Sequence, residues 1–224
     1  MSFLAYHIIR SRRKLEPFDS PQLDELAERM GVLNRLNKKQ RYFFSRRAYS
    51  AFSFPGGIAF GKWYWNSLDD GERTAIAAHE FSHIKSNDGI RRFLRIALPS
   101  LVITLAIMVA ISSALPYSTS VFLLEGVGVG IGTVLVFVLS YTLLALVNAP
   151  WRRRTELNCD ADAAKYANGE DLIRALTLWE SAISEKGRKT MRYRIVSRYY
   201  PTLAQRAETI RVTTGQHREF HPTG

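Results

Sequence analysis

Residues 96–115, IALPSLVITLAIMVAISSAL, and residues 126–147, GVGVGIGTVLVFVLSYTLLALV, decide how this 224-residue chain is organised. Each is long enough to cross a hydrocarbon core of about 30 Å as a helix. Pro116-Tyr117-Ser118-Thr119-Ser120 between them reads as a turn, and between Arg95 and Trp151 the only charged side chain is Glu125. A buried hairpin in a soluble core is the alternative, but two such lengths in series favour two transmembrane helices.

The flanks set the orientation. Arg91, Arg92 and Arg95 precede the first span, Arg152, Arg153 and Arg154 follow the second, and the connection carries no positive charge. The positive-inside bias predicts a multi-pass protein of the cell (plasma or inner) membrane with both termini in the cytoplasm. Three regions follow: 1–90 and 152–224 as two cytoplasmic halves of one domain, and 91–151 as a membrane hairpin. Lys and Arg number 31 against 20 Asp and Glu, a net charge of +11. The span-flanking arginines, with Arg10, Arg12, Arg13 and Lys14, give that charge a reason in attraction to anionic headgroups. A bilayer with anionic headgroups is therefore the expected partner, and nucleic acid is not. The opening MSFLAYHII is too short for a signal-peptide core with a cleavage site and reads as a short interfacial anchor. Cys159 is the one cysteine, which excludes an internal disulfide framework and a cysteine-based zinc cluster. At 46% hydrophobic residues the chain is neither disordered nor low in complexity.

In the first cytoplasmic segment Ser20-Pro21 looks like a helix cap with proline at the first turn, and Gly31 looks like its end. Leu23, Leu26, Ala27 and Met30 share one face of that helix. Ala51-Phe52-Ser53-Phe54, then Pro55-Gly56-Gly57, then Ile58-Ala59-Phe60 predict a β-hairpin. Asp69 followed by Glu72 is a capping-box pattern that starts a helix running through Thr74 into His79.

That helix carries His79-Glu80-Phe81-Ser82-His83. Histidines at i and i+4 sit one above the other, so both imidazoles reach one ion, and the Glu between them is placed to move a proton. Zinc suits imidazole and carboxylate donors and activates water near neutral pH. A catalytic zinc needs a third protein ligand. His7, His217 and His221 lie near the termini without ligand spacing. In the acid-rich helix Thr155-Glu156-Leu157-Asn158-Cys159-Asp160-Ala161-Asp162, Glu156 and Asp160 share a face. Glu156 reads as the ligand, and Asp160 as the acceptor of a ligating histidine's N–H. A solvated acidic face beside Arg152–Arg154 is the plain alternative, and Cys159 lies close enough to ligate.

HEFSH, a membrane hairpin and then RRRTELNCDADAAKYA resembles the M48 family of membrane-embedded zinc metallopeptidases, which includes the HtpX heat-shock proteases and the CAAX prenyl-protein proteases. The family's E-x-x-A-D motif maps onto Glu156 and Asp160, with Cys159 in place of the usual Ala. An Ala161-Asp162 register would require Glu at 158, where Asn158 stands. The E-x-x-C-D variant also resembles the M56 family of antibiotic-sensor peptidases. SAFSFPGGIAFGKWYWNSLDDGERTAIAAHEFSHIKSNDG resembles the M48 lead-in, including an Asp soon after the second His, here Asp88, as a residue behind the metal ligands. Tyr200-Pro201-Thr202-Leu203-Ala204-Gln205-Arg206 resembles the H-P-x-L-x-x-R motif, with Tyr200 replacing the His.

The resemblance implies a mainly α, integral-membrane protein: a two-helix transmembrane hairpin inserted in a zincin-like domain that contains a small β-hairpin. It implies one Zn2+ per chain on His79, His83 and Glu156, and Glu80 as the base acting on a zinc-activated water. Arg206, and Tyr200 with it, would help to order the site or to neutralise charge in the tetrahedral intermediate. Phe52, Phe54, Ile58 and Phe60 would mark a substrate-binding edge strand, or else a plain structural hairpin. The expected activity is HtpX-like endopeptidase cleavage of membrane or cytoplasmic proteins. Three alternatives stand beside it: an M56-like sensor protease, a CAAX-type protease whose chamber would need a homo-oligomer, and a non-enzymatic membrane scaffold with structural zinc.

Overall fold

The computed structural model describes residues 15–46, 48, 50–114, 122–182 and 200–215. The N-terminal stretch, the turn at 116–120 and His7, His217 and His221 lie outside them. The chain forms two compact units, one from residues 1–89 with 153–224 and one from residues 90–152.

In the first unit, β1 (Leu15–Phe18), β2 (Tyr42–Ser45), β3 (Ala51–Phe54) and β4 (Gly57–Gly61) form one sheet in the order β1-β2-β4-β3. β3 and β4 are the expected antiparallel hairpin, with Ala51 opposite Phe60. The hairpin is only half of the sheet, however. β4 also runs parallel to β2, and β2 pairs antiparallel with β1. The small hairpin of the sequence reading is therefore corrected to a four-stranded mixed sheet. Tyr42-Phe43-Phe44-Ser45 is a short aromatic run buried on both sides, so it lacks the alternation that marks a half-exposed strand. β1 contains Pro17, which an outer strand tolerates because its N–H side need not pair.

Successive side chains of a strand point to opposite faces. Tyr42, Ile58 and Phe60 face the helices and join Leu26, Tyr64, Ala78, Phe81 and Leu172 in the main core. Phe43, Phe54, Ala59 and Leu15 form a smaller cluster on the other face. The helices are α1 (Pro21–Arg29), α2 (Lys62–Ser67), α3 (Asp70–Lys85), α7 (Ala149–Ala163), α8 (Gly169–Ala182) and α9 (Leu203–Thr214). Ser20 caps α1 as expected, and the chain then turns at Gly31 with φ +70°. At α3, Asp69 Oδ1 accepts from the Glu72 N–H at 2.8 Å and Glu72 Oε2 accepts from the Asp69 N–H at 3.0 Å, completing the capping box. Ala75, Ala77 and Ala78 have no exposed surface, so small side chains let α3 lie deep among the sheet, α1 and α8.

In the second unit, α4 (Asp88–Arg92) passes through a π-helical stretch, Phe93–Ala97, into α5 (Leu98–Ala114), and α6 is Phe122–Val147. Two helical stretches, Asp88–Ile111 and Gly130–Val147, are long and apolar enough to cross a membrane. A soluble hairpin would bury such side chains. Instead Val109 is 69% exposed, Leu139 73% and Val147 68%, and apolar surface of that extent is what a membrane protein presents to lipid. α5 and α6 pack on one another. The buried hydroxyls of Ser100 and Thr104 donate back to Ile96 O and Ser100 O within their own helix. Arg95 stacks on Trp151 at 4.5 Å, which brings the start of the first span beside the end of the second.

Phe60 is the inner-strand ring that fills the space between sheet and helices. Phe60→Ala is expected to destabilise the protein by about 3–5 kcal/mol, read as a lower urea midpoint by circular dichroism in detergent; an unchanged midpoint would contradict this core.

Candidate active site

Capping at Asp69 fixes the start of α3, and its far end is tied as well. Arg35 Nη1 donates to the carbonyls of Ile84 at 3.1 Å and Lys85 at 2.8 Å. No local sequence signal announced this tie, because Arg35 lies some fifty residues away in the chain. Between these anchors α3 presents His79 and His83 on one side, with their Nε2 atoms 3.2 Å apart. α7 brings Glu156 against them: its Oε2 lies 3.6 Å from His79 Nε2 and 3.8 Å from His83 Nε2.

The outer nitrogens are held by carboxylates. His79 Nδ1 lies 2.9 Å from Asp160 Oδ1, and His83 Nδ1 lies 2.5 Å from Asp88 Oδ2. Asp160 has no exposure, and α9 supplies its counter-charge: Arg206 Nε donates to Oδ2 at 2.7 Å and Nη2 to Oδ1 at 2.6 Å. The Thr202–Gln205 capping box sets the start of α9 and thus the approach of Arg206.

These contacts choose the tautomers. If each Nδ1–H donates to its carboxylate, both Nε2 lone pairs face the Glu156 oxygen. Three electron-rich atoms all within 4.8 Å of one another repel unless a positive charge sits among them. A tetrahedral ion with bonds of about 2.0–2.1 Å sets its donors roughly 3.3 Å apart, close to the spacings seen. The residues present therefore fit a divalent metal.

The ionisation preferences point the same way. Burial pulls the His79 pKa down, but the Asp160 carboxylate outweighs it and the net direction is up. For His83 burial is again opposed, here by the hydrogen bond to Asp88, and the result lies well above the usual value. Burial would raise Glu156, yet the two neighbouring imidazoles hold it well below the carboxylate range. Asp160 is likewise held low, the charge of Arg206 overcoming burial. Each preference draws positive charge to the same point.

Glu80 is 7% exposed and makes no hydrogen bond or ion pair with any described residue. It is a nearly buried carboxylate on α3, next in the chain to His79. Cys159 lies on the far side of His83, with Sγ 3.4 Å from Nδ1 rather than from the converging Nε2 atoms. Burial pushes its thiol up to about 11. Tyr200 is half-buried and precedes Thr202, the cap of α9.

Arg206 turns its Nε and Nη2 to Asp160, the carboxylate behind His79. One sequence reading changes. Ile58 and Phe60 do not belong to an edge strand. They lie on β4, which is paired on both sides, while Phe52 and Phe54 lie on the outer strand β3. The sequence reading also missed Asp162, which accepts from Ser82 Oγ at 3.2 Å and from Lys85 Nζ at 3.1 Å. Its signal was the third acid of the run 156–162, passed over because it fell outside the ligand register.

The fold and the donor set define a metallopeptidase: two helical histidines, a carboxylate from a second helix, and an uncommitted Glu beside them. The chain belongs to Peptidase family M48, whose sequence profile matches residues 17–221. Among solved structures it is similar to the crystal structure of S. mikatae Ste24p, with a TM-score of 0.67 and 20% identity over 93% of this chain. It spans 54% of that chain, about half its length. No curated protein sequence matches.

Arg206→Ala would leave Asp160 buried without its counter-charge. The expected loss is about 3–5 kcal/mol in the metal-free protein, measured by urea unfolding in detergent. Unchanged stability would contradict the pairing.

Proposed function

We propose that this chain is a membrane-anchored zinc endopeptidase of HtpX-like type that hydrolyses peptide bonds in membrane or cytoplasmic proteins. The observation that carries the reading is the convergence of His79 Nε2, His83 Nε2 and Glu156 Oε2, each histidine oriented from behind by a carboxylate. His79, His83 and Glu156 would hold the zinc. When bound, zinc supplies the Lewis acidity that makes water nucleophilic near neutral pH and polarises a peptide carbonyl.

Glu80 takes the proton from the attacking water on a carboxylate oxygen and delivers it to the departing amine nitrogen. A purely structural zinc has no use for such a carboxylate beside its ligands, and this argues against a scaffold. Asp160, locked by Arg206, keeps His79 in the tautomer that offers Nε2 inward, and Asp88 does the same for His83. The Tyr200 phenol is the donor proposed for charge that develops on the substrate oxygen. The outer strand β3, whose residues pack against α3, is the proposed edge to which an extended substrate adds by main-chain hydrogen bonds. The reading includes a multi-pass topology with cytoplasmic termini, and arginines 91, 92, 95 and 152–154 lying against anionic headgroups.

The test pairs zinc content with casein cleavage on detergent-purified protein. Glu80→Gln is expected to keep its zinc and lose cleavage by about 100-fold or more, and Glu156→Ala to lose the metal itself. A Glu80→Gln protein that cleaves at the wild-type rate would overturn the proposal.

A further inference from the structure

The contacts that Glu156, Asp160 and Cys159 of α7 make with α3 end on His79 or His83, the residues read as metal ligands. Asp162 is different. Its Oδ2 accepts from Ser82 Oγ at 3.2 Å and from Lys85 Nζ at 3.1 Å, and its Oδ1 lies 3.2 Å from the same Nζ. Ser82 is 3% exposed and immediately precedes His83, and its hydroxyl also reaches Ala78 O at 3.0 Å. Lys85 is steadied from a second direction, with Nζ 3.4 Å from Tyr166 Oη and 5.2 Å from the ring centroid. On α7, Asp162 also draws Lys165 Nζ to 3.7 Å.

We propose that Asp162 is a positioning residue for the metal centre, a clamp that holds the Glu156 helix at ligand distance from the His79–His83 helix before the metal arrives. This rests on the metallopeptidase reading above. Without a metal, the three donors lack the bonds that would fix their mutual spacing. A tie between the same helices that touches no ligand keeps that spacing, so the donors are pre-organised instead of being gathered by the ion. Ser82 is the lever: its hydroxyl links Asp162 to the turn of α3 that carries His83. Because the tie is partly exposed, its effect belongs in metal affinity and donor geometry, and little of it in global stability.

The experiment compares full-length wild type, Asp162→Asn, Lys85→Met and the Asp162→Asn/Lys85→Met double variant in detergent, Lys85→Met chosen because Lys85 is half-exposed and its loss leaves the core intact. Three readouts are taken: zinc affinity by chelator competition, the visible spectrum of the cobalt-substituted protein, and urea unfolding of the metal-free protein. Asp162→Asn is expected to weaken zinc binding on the order of tenfold, to shift the cobalt bands, and to leave metal-free unfolding where wild type has it. Lys85→Met moves the same way by less, and the double variant is no weaker than Asp162→Asn alone, since both act through one tie. Zinc affinity and cobalt spectra indistinguishable from wild type in both variants would overturn the clamp alone. So would an affinity loss matched by an equal loss in metal-free stability, which marks a structural pair. A wild type that binds no metal would overturn the metallopeptidase reading and the clamp with it.

Discussion

A carboxylate sealed from water stays ionised only if positive charge and hydrogen-bond donors reach both of its oxygens. Asp160 meets that condition with the guanidinium of Arg206 on one side and the imidazole of His79 on the other. Three helices, α3, α7 and α9, are therefore tied at one buried point. Once His79 is committed to Asp160 through Nδ1, its remaining nitrogen has a single direction in which to offer electrons, and His83 and Glu156 meet it there. The same contact that lets the core tolerate a buried charge thus aims the first metal donor.

The unit that carries the site is built around α3 for the same reason. A helix carrying two histidines and a glutamate cannot be buried on all sides unless its remaining surface is small or apolar. Ala75, Ala77 and Ala78 let neighbours close in, and Phe81 reaches the sheet, its ring edge-on to Tyr42 at 6.4 Å. The membrane-type unit obeys the opposite rule. Its apolar side chains face outward, and the hydroxyls of Ser100, Thr104, Ser140 and Thr142 donate to carbonyls of their own helix while Thr133 reaches Met108 Sδ on the other span, as hydrocarbon surroundings demand.

Much of this was legible in the amino-acid sequence because its determinants are local. Two long apolar runs, the Asp69–Glu72 cap and the i, i+4 spacings of His79 with His83 and Glu156 with Asp160 are all visible within a few residues. β1 and β2 were not: β2 is buried on both faces and shows no period, β1 is a four-residue outer strand containing Pro17, and their partners lie some fifteen to thirty residues away. Arg35 capping α3, Asp162 bridging to Ser82 and Lys85, and Cys159 behind His83 were hidden for a related reason: each is a contact between segments whose approach only the fold determines. The placement of Ile58 and Phe60 went astray because a hairpin has two strands, and its sequence does not tell which one the sheet covers.

The central claim is that two imidazole nitrogens and the Glu156 carboxylate, without the neighbouring thiol, form one metal site. X-ray absorption at the zinc edge of the detergent-purified wild type tests it most directly. The account predicts a shell of nitrogen and oxygen donors alone, at about 2.0–2.1 Å. A sulfur scatterer near about 2.3 Å, which would bring Cys159 into the coordination sphere, or protein that retains no zinc, would contradict it.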